Sequence, residues 1–157
     1  MLELIAAGAA ALEVSALGTA ARATTWLYPA ANLAHILGAA LAVGAIATFD
    51  VQILRGAPEA GCVVRAALPV AVAGLLLQAV SGVVLVSAEA ATMVKNPAFL
   101  AKMALLVLAL ANVAAFHVRF GAALRSGAEL KRAKGPAAIS LASWVLVLLA
   151  GRAIAYV

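Results

Sequence analysis

The stretch WLYPAANLAHILGAALAVGAIATFD, residues 26–50, decides the fold. Trp26 and Tyr28 suit the headgroup layer of a bilayer, and Pro29 suits the first turn of a helix. The apolar run behind them, 28–49, is roughly 33 Å long as a helix, enough to cross a hydrocarbon core of about 30 Å. One histidine, His35, lies a short way in, and Asp50 closes the run.

The rest of the chain repeats this pattern. Hydrophobic residues make up 67% of the 157 and charged residues 11%, whereas a soluble domain is about half apolar and a quarter charged. Lipid must therefore be the solvent for much of the surface. Further spans are expected at about 66–86, 97–118 and 137–157, with Pro69 in the first turns of the second and Asn96-Pro97 opening the third. Residues 2–22 are alanine-rich and carry Glu3 and Glu13, so 1–25 reads as an amphipathic helix on the membrane surface. A fifth, poorly hydrophobic span is the alternative there. A cleaved leader is not expected, because Glu3 stands where a positive region belongs. The fold expected is all-α: a single transmembrane domain, 1–157, with an interfacial helix before a four-helix bundle.

Net charge is +5, and its distribution points to membrane topology, not nucleic acid. The first and third connections hold Arg55, Arg65, Arg119, Arg125, Lys131, Arg132 and Lys134, seven of the eleven Lys and Arg residues. Basic loops stay on the cytoplasmic side, which places both termini outside a bacterial inner membrane. Cys62 is the single cysteine, so no intrachain disulfide forms.

Ionisable groups inside spans are costly and mark function by default. Histidine in a helical bundle is a common axial ligand of b-type haem, but His35 and His117 differ in depth by roughly 20 Å on helices running the same way. They belong to two levels. The inner level holds Asp50 and His117, read as a hydrogen-bonded pair anchoring two helix ends or as a proton relay. The outer level gathers Asn32, His35, Lys102, Met103, Arg152 and Tyr156. Two cations beside a histidine suit an anionic group. Haem b with His35 as iron ligand and Met103 or a second protomer's His35 opposite is one reading, and a quinone headgroup held by His35 and Tyr156 is another. The bland reading has Lys102 and Arg152 snorkelling to the headgroups. Copper at His35, Met93 and Met103 lacks a ligand motif. Nothing is set for nucleophilic or hydrolytic catalysis.

Trp26, Tyr28, Pro29, His35, Gly38, Gly44 and Asp50, then Asn96, Pro97, Phe99 and Lys102, then Asn112, Phe116 and His117, then Gly151, Arg152 and Tyr156, carry a resemblance. The chain resembles a widespread family of small, uncharacterised four-span bacterial inner-membrane proteins, distantly like the membrane part of copper-resistance protein D. The family often has an acid where this chain has Asn32, which leaves His35 without a charge relay. The resemblance implies fold and topology and carries no activity. Three function classes stay open: a haem- or quinone-binding electron-transfer subunit, a non-catalytic subunit stabilising a larger membrane complex or a homodimer, and a small transporter or metal-handling protein.

Overall fold

The computed structural model describes residues 2–57, 60–126 and 131–157. Every described element is helical, and four helices are long and apolar enough to cross a membrane. The chain is a multi-pass helical membrane protein, as its sequence indicates.

The first of these, α3 (Leu27–Arg55), begins beside Trp26 and stops at Gly56, whose φ of 72° is left-handed and suits glycine. The Gly56 and Ala57 amides fold back onto the carbonyls of Ile53 and Gln52, so the helix ends by local backbone geometry, not at the first charge. α4 (Ala60–Ala88) and, beyond a short α5 (Ala90–Met93), α6 (Pro97–Ser126) follow. A 3₁₀ turn, Lys131–Ala133, leads into α7 (Lys134–Ala153), and a second, Ile154–Tyr156, ends the chain. α3, α4 and α6 contain their expected spans and overrun them at the Arg55 end; α7 also starts early there, but gives way after Ala153 to the 3₁₀ turn within the expected 137–157. Long basic side chains explain this, because their aliphatic stems let a helix continue past the hydrocarbon edge. One consequence is that Pro69 stands in the third turn of α4, not its first turns.

The N-terminal segment departs from a single surface helix. It forms α1 (Leu2–Glu13) and α2 (Ala16–Ala23), bent by 57°. Ser15 makes the break: its hydroxyl oxygen accepts from the Gly18 amide at 3.2 Å and starts a new helix. Glu13 and Arg22 are used in packing. The Glu13 carboxylate accepts from the Ala91 amide at 2.9 Å, and Arg22 donates to the carbonyls of Ala88 and Glu13. The pair thus clasps the α4–α5 connection.

The spans pack in the order α4, α3, α7, α6. α3 and α4 lie backbone to backbone: a Cβ added at Gly74 would meet the Ala42 nitrogen at 2.5 Å and the Gly38 carbonyl at 2.7 Å. In lipid, where apolar side chains gain little by leaving the solvent, such close backbone approach is a main source of helix association. At the Arg55 end the interior is aromatic: Phe116 packs edge-on against Phe49 at 5.5 Å and, tilted, against Phe120 at 5.2 Å. The outer members of the row, α4 and α6, hardly touch. A lateral cleft lies between them.

Candidate functional site

The four spans place polar side chains at two levels, separated along α3 by the fifteen residues from His35 to Asp50, about 22 Å.

At the Trp26 end, His35 is clasped from both sides. The Ser81 hydroxyl lies 2.6 Å from the Leu77 carbonyl, to which it donates, so its oxygen accepts from His35 Nδ1 at 3.1 Å. That fixes the neutral tautomer with its lone pair on Nε2, which faces the Lys102 ammonium at 3.4 Å. Gln78 donates to the His35 carbonyl at 3.1 Å, and the imidazole lies against Gly82, where a Cβ would come 3.1 Å from Cε1. Gly151 of α7 makes room for the lysine stem, a Cβ there standing 3.5 Å from Nζ. His35, Ser81, Lys102 and Gly151 therefore join one residue from each span.

Of the outer group expected from sequence, only Lys102 meets His35. Arg152 and Tyr156 pair with one another instead: the guanidinium donates to the phenol at 2.5 Å and lies 4.9 Å from the ring centre. Both are exposed, as are Asn32 and Met103. Met103 follows Lys102 directly, so helix geometry turns it about 100° away from the residue that faces His35. The lone pair of Nε2, the atom a haem iron would take, faces the Lys102 ammonium. Among the described residues no group of three or more His, Cys, Asp or Glu side chains is placed to hold a metal ion.

At the Arg55 end, Asp50 is 3% exposed. The Ser140 side chain lies near its carboxyl, while Oδ2 is buried with no hydrogen-bond partner. A buried unsatisfied oxygen costs about 1–3 kcal/mol, so its retention asks for a reason. Asp50 and Ser140 line a cavity of about 110 Å³ that opens into the α4–α6 cleft. The walls are apolar, with Ala67, Ala71 and Leu75 from α4 and Val113 and Phe116 from α6; Asn112 and His117 add the remaining polar groups.

The expected bond between Asp50 and His117 is not formed. His117 is exposed, and its Nδ1 donates to the Val113 carbonyl one turn back at 2.9 Å. Phe116 takes the inward direction to pack on Phe49, which turns the next residue toward the cleft mouth. The two side chains share a cavity without touching as a pair.

Ser81 and Ser140 were the least visible of these groups in the sequence, since a serine inside a span reads first as a small helix contact. Asn96 reads as punctuation before Pro97. It is in fact a clamp, capping α6 through the Phe99 amide at 3.0 Å and donating to the carbonyls of Val157 and Ile154.

No known protein family, no curated protein and no solved structure matches this chain. Its resemblance to the four-span family rests on the residues quoted above.

Proposed function

We propose that this protein is a membrane-embedded subunit of electron transfer that binds a lipid-soluble carrier of the quinone class, with the headgroup in the Asp50 cavity and not beside His35. The observation that carries the reading is an apolar cavity that opens sideways between α4 and α6 and has Asp50, Ser140, Asn112 and His117 among its lining residues. Small-molecule sites are mostly apolar with a few convergent polar groups, and a lateral cleft gives access from the bilayer without passage through water. Asp50 would hold a polar substituent of the ring, Ser140 would orient the carboxyl, and Phe116 and Ala71 would flank the ring. The His35–Lys102–Ser81 cluster serves on this account as the fastening of the opposite end. With the basic connections in the cytoplasm of a bacterium, the cavity lies in the inner half of its cytoplasmic membrane.

The test is binding of a short-chain quinone to protein in lipid nanodiscs, with Ala71→Trp to fill the cavity and Ala67→Phe as a milder version. Saturable binding lost in both variants supports the proposal. Binding that survives both, or that is lost in His35→Ala instead, counts against it.

A second reading draws on α6, which packs on α7 and leaves Val107 and Leu108 about two-thirds exposed. A larger membrane partner, or a second copy, would cover that face. Stoichiometric co-purification of such a partner favours it.

A further inference from the structure

The end of the bundle that holds Arg55 is basic. Residues 50–65 and 119–136 carry seven lysines and arginines against three acids, and one of those acids, Asp50, is 3% exposed. Two of the arginines stand at matched heights on the two helices that border the cleft. α4 and α6 approach where the Leu124 carbonyl comes within 3.2 Å of a Cβ placed on Gly61. Arg65 lies four residues toward the membrane centre from that point and Arg119 five, about 6 and 7.5 Å along their helices.

Both arginines also share the helix faces that line the cleft. Leu68 and Val72 follow Arg65 by three and seven residues, Phe116 and Asn112 precede Arg119 by three and seven, and all four line the cavity. Arg65 and Arg119 are exposed. The Arg119 guanidinium lies 5.7 Å from the centre of the Phe120 ring, and among the described residues neither arginine has a hydrogen-bond or ion-pair partner. Two guanidinium groups with unspent N–H donors, one on each lip of an apolar cleft, match an anion that carries a hydrocarbon chain. Guanidinium recognises phosphate through paired donors. A chain continuing from that phosphate meets Leu68, Val72 and Leu76, which are exposed along the same face of α4 as Arg65.

We infer that the Arg55 end of the α4–α6 cleft binds an anionic phospholipid, its phosphate bridged between Arg65 and Arg119 and an acyl chain laid along Leu68, Val72 and Leu76. Basic residues at a membrane surface attract anionic lipid in general. This site is narrower, taking one lipid at one place through two of the seven basic residues. Arg55 supplies the contrast. It is exposed at the same end, but on α3 it is turned by about 120° or more from Ile46, Phe49 and Asp50, which line the cavity. The lipid site is independent of the quinone-class reading, and no quinone enters its test.

The experiment titrates the full chain, purified in mild detergent, with dioleoyl phosphatidylglycerol or dioleoyl phosphatidylcholine and counts bound lipid by native mass spectrometry. Glycerol phosphate serves as a competitor without chains. One phosphatidylglycerol is expected to bind saturably and about thirtyfold more tightly than phosphatidylcholine, a factor of about five from each arginine. Arg65→Gln should lower that preference about fivefold and the double variant with Arg119→Gln should bring it close to parity, while Arg55→Gln changes it by less than about twofold. Should loss of the Arg119 contact with Phe120 prevent folding, Arg65→Gln carries the test alone. Equal binding of the two lipids by the native protein overturns the inference. So does an equal loss in Arg55→Gln, which would mean diffuse attraction to a basic surface. Displacement of the lipid by an equimolar amount of glycerol phosphate also overturns it, since the site would then take a free anion and not a lipid.

Discussion

Gly74→Ala tests the packing that sets the whole frame. A Cβ at this position meets the Ala42 nitrogen at 2.5 Å and the Gly38 carbonyl at 2.7 Å, against an ordinary contact that begins at 3.4 Å. The neighbours are backbone atoms of a helix, so α3 and α4 must part by roughly 0.9 Å over this turn, and no side chain can swing aside. Overpacking of this kind costs about 1–3 kcal/mol, and about 2 kcal/mol lowers the folded-to-unfolded ratio some thirtyfold. Alanine also gains helix propensity over glycine, about 0.5–1 kcal/mol, which would mask part of the loss. Gly44→Ala supplies the correction, since a Cβ at Gly44 meets nothing within 4 Å. Equilibrium unfolding in mixed micelles of mild detergent and dodecyl sulfate should show Gly44→Ala neutral or slightly stabilised and Gly74→Ala about 2 kcal/mol or more below it. Agreement of the two variants within about 0.5 kcal/mol would refute the backbone contact between α3 and α4.

Three more outcomes follow from single side chains. Asp50→Leu removes a buried, unsatisfied oxygen, so unfolding in the same micelles should show stability unchanged or raised by about 1–3 kcal/mol. His35→Ala takes the acceptor from the Lys102 ammonium inside a span and should cost about 1–3 kcal/mol; adding Lys102→Met should recover part of it, and a double-mutant cycle near zero would deny the contact. Asn96→Ala removes a helix cap worth about 1–2 kcal/mol and frees the last turn, which hydrogen exchange should report as faster amide exchange across 154–157.

The count of long spans was legible because each is apolar over a bilayer's length, and lipid makes that pattern nearly unambiguous. Helix ends were less so: charge marks where a span leaves the hydrocarbon, yet α3 runs on to Gly56, where the left-handed backbone stops it. The meeting of His35 with Lys102 could be anticipated from depth, since both lie a short way in from the same face. Depth says nothing of direction, and that is why Asp50 and His117 share a level without bonding: the Phe116 ring claims the inward face. Arg152 and Tyr156, four apart on one helix, found each other locally and so turned from His35. The cleft itself had no local signature. It follows from the order in which the helices pack, and that order is set by contacts such as Gly38 with Gly74, which a chain so rich in small residues does not single out.

Photo-crosslinking with a short-chain azidoquinone in nanodiscs, mapped by peptide mass spectrometry, tests the central claim most directly. Label on the cavity walls, at Ala67 to Leu75 of α4 and Asn112 to Phe116 of α6, reduced by excess unlabelled short-chain quinone and absent in Ala71→Trp, is the result predicted. Label concentrated around His35, Lys102 and Ser81 at the opposite end, or spread over the lipid-facing surface without competition, would contradict it.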